Sequence, residues 1–288
     1  MASAQHIESS LACAVAELER DAPPKLAAAI HHALFPGGAR IRPRLCMAVA
    51  HAAENDAPAL VEATACALEF LHCASLVHDD LPCFDDANLR RGRPSVHHVY
   101  GAPLAVLVGD ALIVGAFECL AKASIAAPAR LPQLVMLLAR AAGTPSGLVA
   151  GQAWESEPAV PVDRYHRAKT GSMFVAAAMA GAVAAGRDPA PWRAMGELLG
   201  EAYQVADDLL DAHASEHAAG KPTRQDRKLG RPSAVAEHGT DGAIIRLRLL
   251  VSRAAASVPQ CAGAESLRLL VVEMAERLVP AGLRRTAA

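Results

Sequence analysis

The sequence predicts an all-α protein, a single helical bundle spanning residues 1–288 around a central apolar cavity. Three observations lead there. Hydrophobic residues make up 52% of the chain and aromatics only 3%, alanine is abundant and β-branched runs are short, which favours closely packed helices over sheets. Apolar positions recur at helical spacing, as in Ile7, Leu11, Val15 and Leu18. No alternating run of useful strand length interrupts them, and neither an internal repeat nor a low-complexity linker divides the chain.

The elements follow in order. A helix over 7–20 is broken by Pro23-Pro24, and a second over 25–34 stops at Pro36-Gly37-Gly38. Helix follows over 45–53. Asp56-Ala57-Pro58 reads as the next start, with Asp56 as cap and Pro58 in the first turn. That helix reaches His78 and ends near Pro82, and a loop bearing acids and arginines succeeds it. Further helices are expected over 103–123, 131–142 and 146–155, the last carrying Gly151-Gln152. Pro158 and Pro161 precede a long alanine-rich helix over 162–185 with Lys169-Thr170-Gly171. Another covers 192–213. Residues 217–232 read as a loop, and helices over 243–257 and 264–278 close the chain.

Charge and composition exclude several classes. Lys and Arg number 28 against 30 Asp and Glu, a net charge of −2, which lacks the basic excess of a nucleic-acid partner. No run of about 18 apolar residues predicts a membrane span. The N-terminus has no basic start followed by an apolar block, so it does not read as a secretory signal. Seven cysteines stand singly, with no Cys-x-x-Cys, which fits a reducing compartment and a cytoplasmic protein.

The chemistry gathers in His72 to Ser95, HCASLVHDDLPCFDDANLRRGRPS. Asp79, Asp80, Asp85 and Asp86 end an apolar segment, and Arg90, Arg91 and Arg93 follow. Clustered carboxylates repel unless a cation lies among them, and hard oxygen ligands beside arginines suit Mg²⁺ holding a phosphorylated substrate. Counting back along an ideal helix, His72 lies about 20° and Ser75 about 40° from Asp79. A core histidine, and arginines that merely solubilise a loop, are the plainer alternatives. A second group lies far along the chain. On an ideal helix Asp207 and Asp211 are about 40° apart, Gln204 about 60° and Asp208 about 100° from Asp207, so the four share one broad face. A solvated acidic face is the alternative there. Together the groups suit a diphosphate neutralised by several Mg²⁺ ions and so made a good leaving group.

DDLPCFDDANLRRGRP and YQVADDLLD, with Gly151-Gln152 and Lys169-Thr170 between them and Gly220-Lys221-Pro222 through Gly230-Arg231 after them, resemble the trans-polyprenyl diphosphate synthases. This is the family of farnesyl and geranylgeranyl diphosphate synthases. The resemblance implies a homodimer of all-α chains using about three Mg²⁺ ions per site. It puts Mg²⁺ on Asp79, Asp85 and Asp207, with Asp80, Asp208 and Asp211 in support and the last two in the wider metal set. It implies that Arg90, Lys169, Thr170, Gln204, Lys221 and Arg231 serve the allylic diphosphate, with Gln152 nearby. Arg42, His72 and Arg91 would hold isopentenyl diphosphate. The implied reaction is head-to-tail 1′-4 condensation, with the departing diphosphate as base.

Three departures stand out: Ala39, Arg231 where a lysine is common, which keeps the charge, and Asn88 in place of an acid often seen just before the arginines. The family usually has a lysine where this chain has Ala39, removing one expected isopentenyl contact unless Arg40 or Arg44 substitutes. The floor residue five before Asp79 is Ala74, followed by Ser75, not an aromatic. A small floor implies the twenty-carbon geranylgeranyl product, for pigment or quinone lipid synthesis, over farnesyl. Ideal helix geometry sets Ala74 about 140° from Asp79, so its direction comes from the resemblance. A class I terpene cyclase is disfavoured by the second Asp-Asp-x-x-Asp and the scarcity of aromatics. A His-Asp metal phosphohydrolase would leave that second group unexplained. A non-catalytic synthase subunit, suggested by Ala39, is opposed by two intact acidic motifs.

Overall fold

The computed structural model describes residues 4–35, 37–158, 162–213 and 233–276. It divides into two compact units interleaved in sequence, Met1–Leu138 with Ala180–Asp188, and Ala139–Met179 with Pro189–Ala288.

In the first unit, α1 (Ala4–Glu19), α2 (Pro24–Leu34), α3 (Ile41–Ala52) and α4 (Pro58–Asp79) precede a two-stranded hairpin. The hairpin pairs β1 (Leu89–Arg90) antiparallel with β2 (Arg93–Pro94), in register Leu89 to Pro94 and Arg90 to Arg93. Then come α5 (Val96–Tyr100), α6 (Ala102–Ala123), two short 3₁₀ turns and α7 (Leu131–Ala142), whose C-terminal residues pass into the second unit. The organising helix is α4, which packs on α6, α3 and α1. Its alanines permit close approach, while Leu60, Leu68, Phe70 and Leu71 are buried. Each large side chain so buried contributes about 1.5–3 kcal/mol. Phe70→Ala would cost about 3–5 kcal/mol through transfer and cavity terms.

The second unit contains α8 (Leu148–Ala153), α9 (Val162–His166), a π turn (Arg167–Gly171), the start of α10 (Ser172–Ala184), α11 (Arg193–His213), α12 (Ala234–Ala256) and α13 (Ala264–Glu276). Helix α11 lies along α12. Ala202, Val205, Ala206 and Leu209 meet Ala243, Ile244, Leu247 and Leu250 in a closed apolar seam.

The structure is all-α apart from the hairpin. Three expectations change. Asp56 does not cap α4, whose N-cap Ala57 has no side-chain cap bond; its carboxylate instead binds both terminal nitrogens of Arg130, at 2.6 and 2.8 Å. Helix α3 begins at Ile41, because Pro43 is tolerated in a first turn whose N–H groups need no helical partner. Helix α12 starts at Ala234, with a non-helical residue at Gly239 (φ 69°, ψ 174°). No run of about 18 consecutive apolar residues occurs, as expected, yet two helices reach membrane length and hydropathy on average. Pro58–Asp79 and Ala102–Ala126 are long and apolar enough, because alanine, glycine and isolated polar residues dilute the apolar run without lowering its average. Helix α4 is nevertheless a core helix with 78% of its apolar window buried, whereas the Ala102–Ala126 window is 39% buried.

Candidate active site

In the first unit, α4 ends at Asp79 and the chain folds straight back on it. The Asp85 N–H donates to the Asp79 carbonyl (3.0 Å), Asp86 N–H to Leu81 O (3.1 Å) and Ala87 N–H to Asp80 O (3.1 Å). These bonds satisfy carbonyls that a helix end leaves open, and they set Asp85 beside Asp79. Asp79 is half-buried and Asp85 exposed. A carboxylate at a helix C-terminus faces the negative end of the macrodipole, where a cation is favoured and an acid is not. Between them, Cys83 and Phe84 stand exposed at the loop tip. Asp80 turns inward, 2% exposed, and its Oδ1 accepts from Arg90 Nε (2.9 Å) and Nη2 (2.5 Å). Burial lifts the Asp80 carboxyl above its ordinary range against the pull of Arg90.

Arg90 is placed by the hairpin. Its two-residue loop, Arg91-Gly92, has φ of 53° and 75°, the pair of positive values that a type I′ turn requires. Arg93 donates to Phe35 O (2.6 Å), fixing the hairpin to the end of α2. His72 is half-buried and lies within the field of Arg42, Arg91, Arg90 and Arg40. Burial first, then those four charges, hold its imidazole well below the usual histidine range. Arg42 is buried. Ala74 is 1% exposed, and the half-buried Ser75 donates through Oγ to the His72 carbonyl (2.8 Å). Arg40 does not replace the missing lysine. Its guanidinium is buried on Glu8 (2.8 and 3.2 Å), Glu69 (2.6 Å) and Leu34 O (2.8 Å), so it is unavailable to a phosphate.

In the second unit, Lys169-Thr170 sits on the π turn that interrupts the expected continuous helix. Such turns recur at functional positions because the extra residue re-aims side chains. Gly151 allows α8 to touch it, since a Cβ there would fall 2.6 Å from Lys169 Cα. Lys169 Nζ donates to Glu155 Oε1 (2.5 Å), which also accepts from Tyr165 OH (2.6 Å). Gln152 donates to Glu155 Oε2 (3.3 Å). Thr170 Oγ1 donates to Gln204 Oε1 (2.9 Å), and Gln204 Nε2 to Asp208 Oδ1 (2.9 Å). Asp208 Oδ2 accepts the Ala234 N–H (2.7 Å) at the first turn of α12. Both Asp208 oxygens are thus engaged by protein, and the residue is 3% exposed. This geometry ties Gln204 to the start of α12 through Asp208; Asp207 is half-buried and Asp211 is 8% exposed. Like the first group, Asp207 and Asp211 lie in the last turns of a helix, α11. Lys221 and Arg231, with the rest of the 217–232 stretch, lie outside the described residues.

Among the described residues no three His, Cys, Asp or Glu side chains form a ready-made metal cage. The donors present, the carboxylates of half-buried Asp79 and Asp207 and of exposed Asp85, are hard oxygens of the kind Mg²⁺ takes one or two at a time with waters and substrate phosphates. Sequence reasoning missed Glu69, Glu155 and the inward turn of Asp80 and Asp208. Glu69 carried one signal: it is the lone charge between Glu62 and His72 in an apolar helix.

The polyprenyl synthetase family profile matches residues 23–257. The chain belongs to the polyprenyl synthetase family. As a polyprenyl synthetase it is a prenyltransferase of isoprenoid biosynthesis. It is 52% identical over 282 residues, 98% of each chain, to the geranylgeranyl diphosphate synthase of Cereibacter sphaeroides. It is 47% identical over 284 residues, again 98% of each, to that of Rhodobacter capsulatus. Its fold is similar to the crystal structure of a Helicobacter pylori geranyltransferase complexed with magnesium and isoprenyl diphosphate, with TM-score 0.79, 27% identity, and coverage of 95% of this chain and 98% of that one.

Proposed function

We propose that this polyprenyl synthetase is a geranylgeranyl diphosphate synthase, condensing isopentenyl diphosphate with an allylic diphosphate in a Mg²⁺-dependent 1′-4 reaction. The supporting observation is the 52% identity, over 98% of both chains, to a relative bearing that name. Ala74 and Ser75 add to it, because small side chains at that point of α4 leave room for a longer product.

Asp79 and Asp85 in the first unit, and Asp207 with Asp211 in the second, are the proposed Mg²⁺ ligands. When bound, Mg²⁺ supplies charge neutralisation that makes the allylic diphosphate a competent leaving group. The chain's own residues bind and orient. Lys169 and Arg90 face the developing negative charge on the departing diphosphate, with Thr170 and Gln204 placing the Lys169 turn. Asp80 holds Arg90 in position, and Asp208 holds Gln204. Arg42, His72 and Arg91 hold isopentenyl diphosphate so that its double bond attacks the allylic carbon. The proton lost afterwards goes to the released diphosphate, which needs no protein base. Lys221 and Arg231 complete the allylic set as the resemblance implies.

The proposed assembly is a homodimer of single-domain chains acting in the cytoplasm. Leu107 and Val114 support the dimer. They are 51% and 66% exposed, and seven residues of helix bring them to within about 20° of one another on α6. The decisive assay combines purified protein, Mg²⁺, isopentenyl diphosphate and an allylic primer, with chain-length analysis of the product. A twenty-carbon diphosphate is expected. A fifteen-carbon product would make it a farnesyl synthase, and no condensation would sink the activity.

A further inference from the structure

We propose that Glu69 is a positioning residue for the isopentenyl diphosphate subsite, holding Arg91 where it meets the substrate. The inference rests on the reading that Arg91 binds this diphosphate.

Glu69 lies in α4, three residues before His72, and is 2% exposed. A carboxylate so buried is costly unless paired. Its Oε1 accepts from Arg40 Nη1 at 2.6 Å, lies 3.8 Å from Arg91 Nη2, and is 3.7 Å from Cys73 Sγ. One buried acid therefore serves two arginines from different segments, Arg40 ahead of α3 and Arg91 in the hairpin loop.

The backbone at both arginines is unusual. Arg40 and Arg91 both have positive φ, 49° and 53°, in the left-handed region that L side chains rarely adopt; at Arg91 the hairpin turn requires it. Such strain persists where surrounding contacts impose it, and it gathers at functional positions. Two adjacent glycines make the room. A Cβ on Gly37 would lie 2.0 Å from Arg40 Cζ, and one on Gly38 would lie 3.0 Å from Arg91 Nε. The strained arginines, the glycine pair and the buried acid converge on one point.

Arg40 retains Glu8 and the Leu34 carbonyl if Glu69 loses its charge. Arg91 loses its acid while keeping the repulsion of the neighbouring arginines. The effect should therefore fall on Arg91, and through it on one of the two substrates.

The test is steady-state kinetics with each substrate varied, on wild type, Glu69→Gln, Glu8→Gln and Arg91→Gln, with folding checked by circular dichroism. Glu69→Gln should raise KM for isopentenyl diphosphate on the order of tenfold, about 1.4 kcal/mol. Its kcat and its KM for the allylic substrate should stay within about twofold. Glu8→Gln, which loosens Arg40 alone, should leave all three parameters near wild type. If Arg91→Gln raises the isopentenyl KM and Glu69→Gln does not, or if Glu8→Gln matches Glu69→Gln, the positioning role is overturned while the Arg91 reading stands. If Arg91→Gln leaves that KM unchanged, the reading itself fails and takes the inference with it. Should Glu69→Gln not fold, Glu69→Asp decides: it keeps the charge but shortens the reach to Arg91, and an unchanged isopentenyl KM would overturn the proposal.

Discussion

At the scale of single residues, the second aspartate of each Asp-Asp pair differs from the first. Asp80 is buried on Arg90, and Asp208 on Gln204 and the Ala234 N–H; Asp79, at the C-terminus of α4, and Asp207, further inside α11, are half-buried. Substitution should separate the two kinds. Asp79→Asn and Asp207→Asn should each lower kcat by about 10²-fold or more with little change in stability in urea. Asp208→Ala should destabilise by about 1–3 kcal/mol, because the Gln204 amide and the Ala234 N–H lose their acceptor. His72 gives a pH signature. Its folded pKa lies below its unfolded value near 6.5, so its contribution to stability is complete above that pH and is lost as pH falls below it. The wild-type unfolding free energy should carry a component falling by up to about 1.4 kcal/mol per pH unit below 6.5, and His72→Gln should lack it. Ala74→Phe should shift the product from twenty carbons to fifteen. Overpacking at this buried position costs about 1–3 kcal/mol, so folding must be monitored alongside product length.

At the scale of elements, what could be read in advance was what local pattern controls. The helices over 7–20, 25–34, 103–123 and 131–142 fall within a residue or three of α1, α2, α6 and α7, because apolar period and proline breaks are written in the chain. The π turn was not legible, since one extra residue in an alanine-rich helix changes neither composition nor pattern. The hairpin escaped because strands of two residues have no alternation to detect. Its Arg91-Gly92 turn offered only a single glycine as a clue. The acidic motifs were plain, but the pairing of Arg91 with Glu69 and of Lys169 with Glu155 depends on tertiary contact, which sequence does not display. The π turn yields its own prediction. Gly151→Ala would drive a methyl into the Lys169 backbone, and should both destabilise by about 1–3 kcal/mol and weaken allylic diphosphate binding, read as a raised KM.

At the scale of the whole molecule, α6 is one of the helices with apolar surface that the described chain does not cover, at Val106, Leu107 and Val114. If the proposed homodimer uses that surface, Leu107→Lys with Val114→Lys should convert it to monomer in sedimentation velocity, with each chain still helical by circular dichroism. Unchanged sedimentation would place the interface elsewhere. The cysteines offer a practical opening. All seven are free thiols, and burial pushes Cys46 and Cys73 up to about 12, leaving both inert at neutral pH. Cys13 and Cys83 are exposed. In a Cys13→Ser background, a maleimide fluorophore would therefore favour Cys83, midway between Asp79 and Asp85, and turn the acidic loop into an optical reporter of cation arrival in real time.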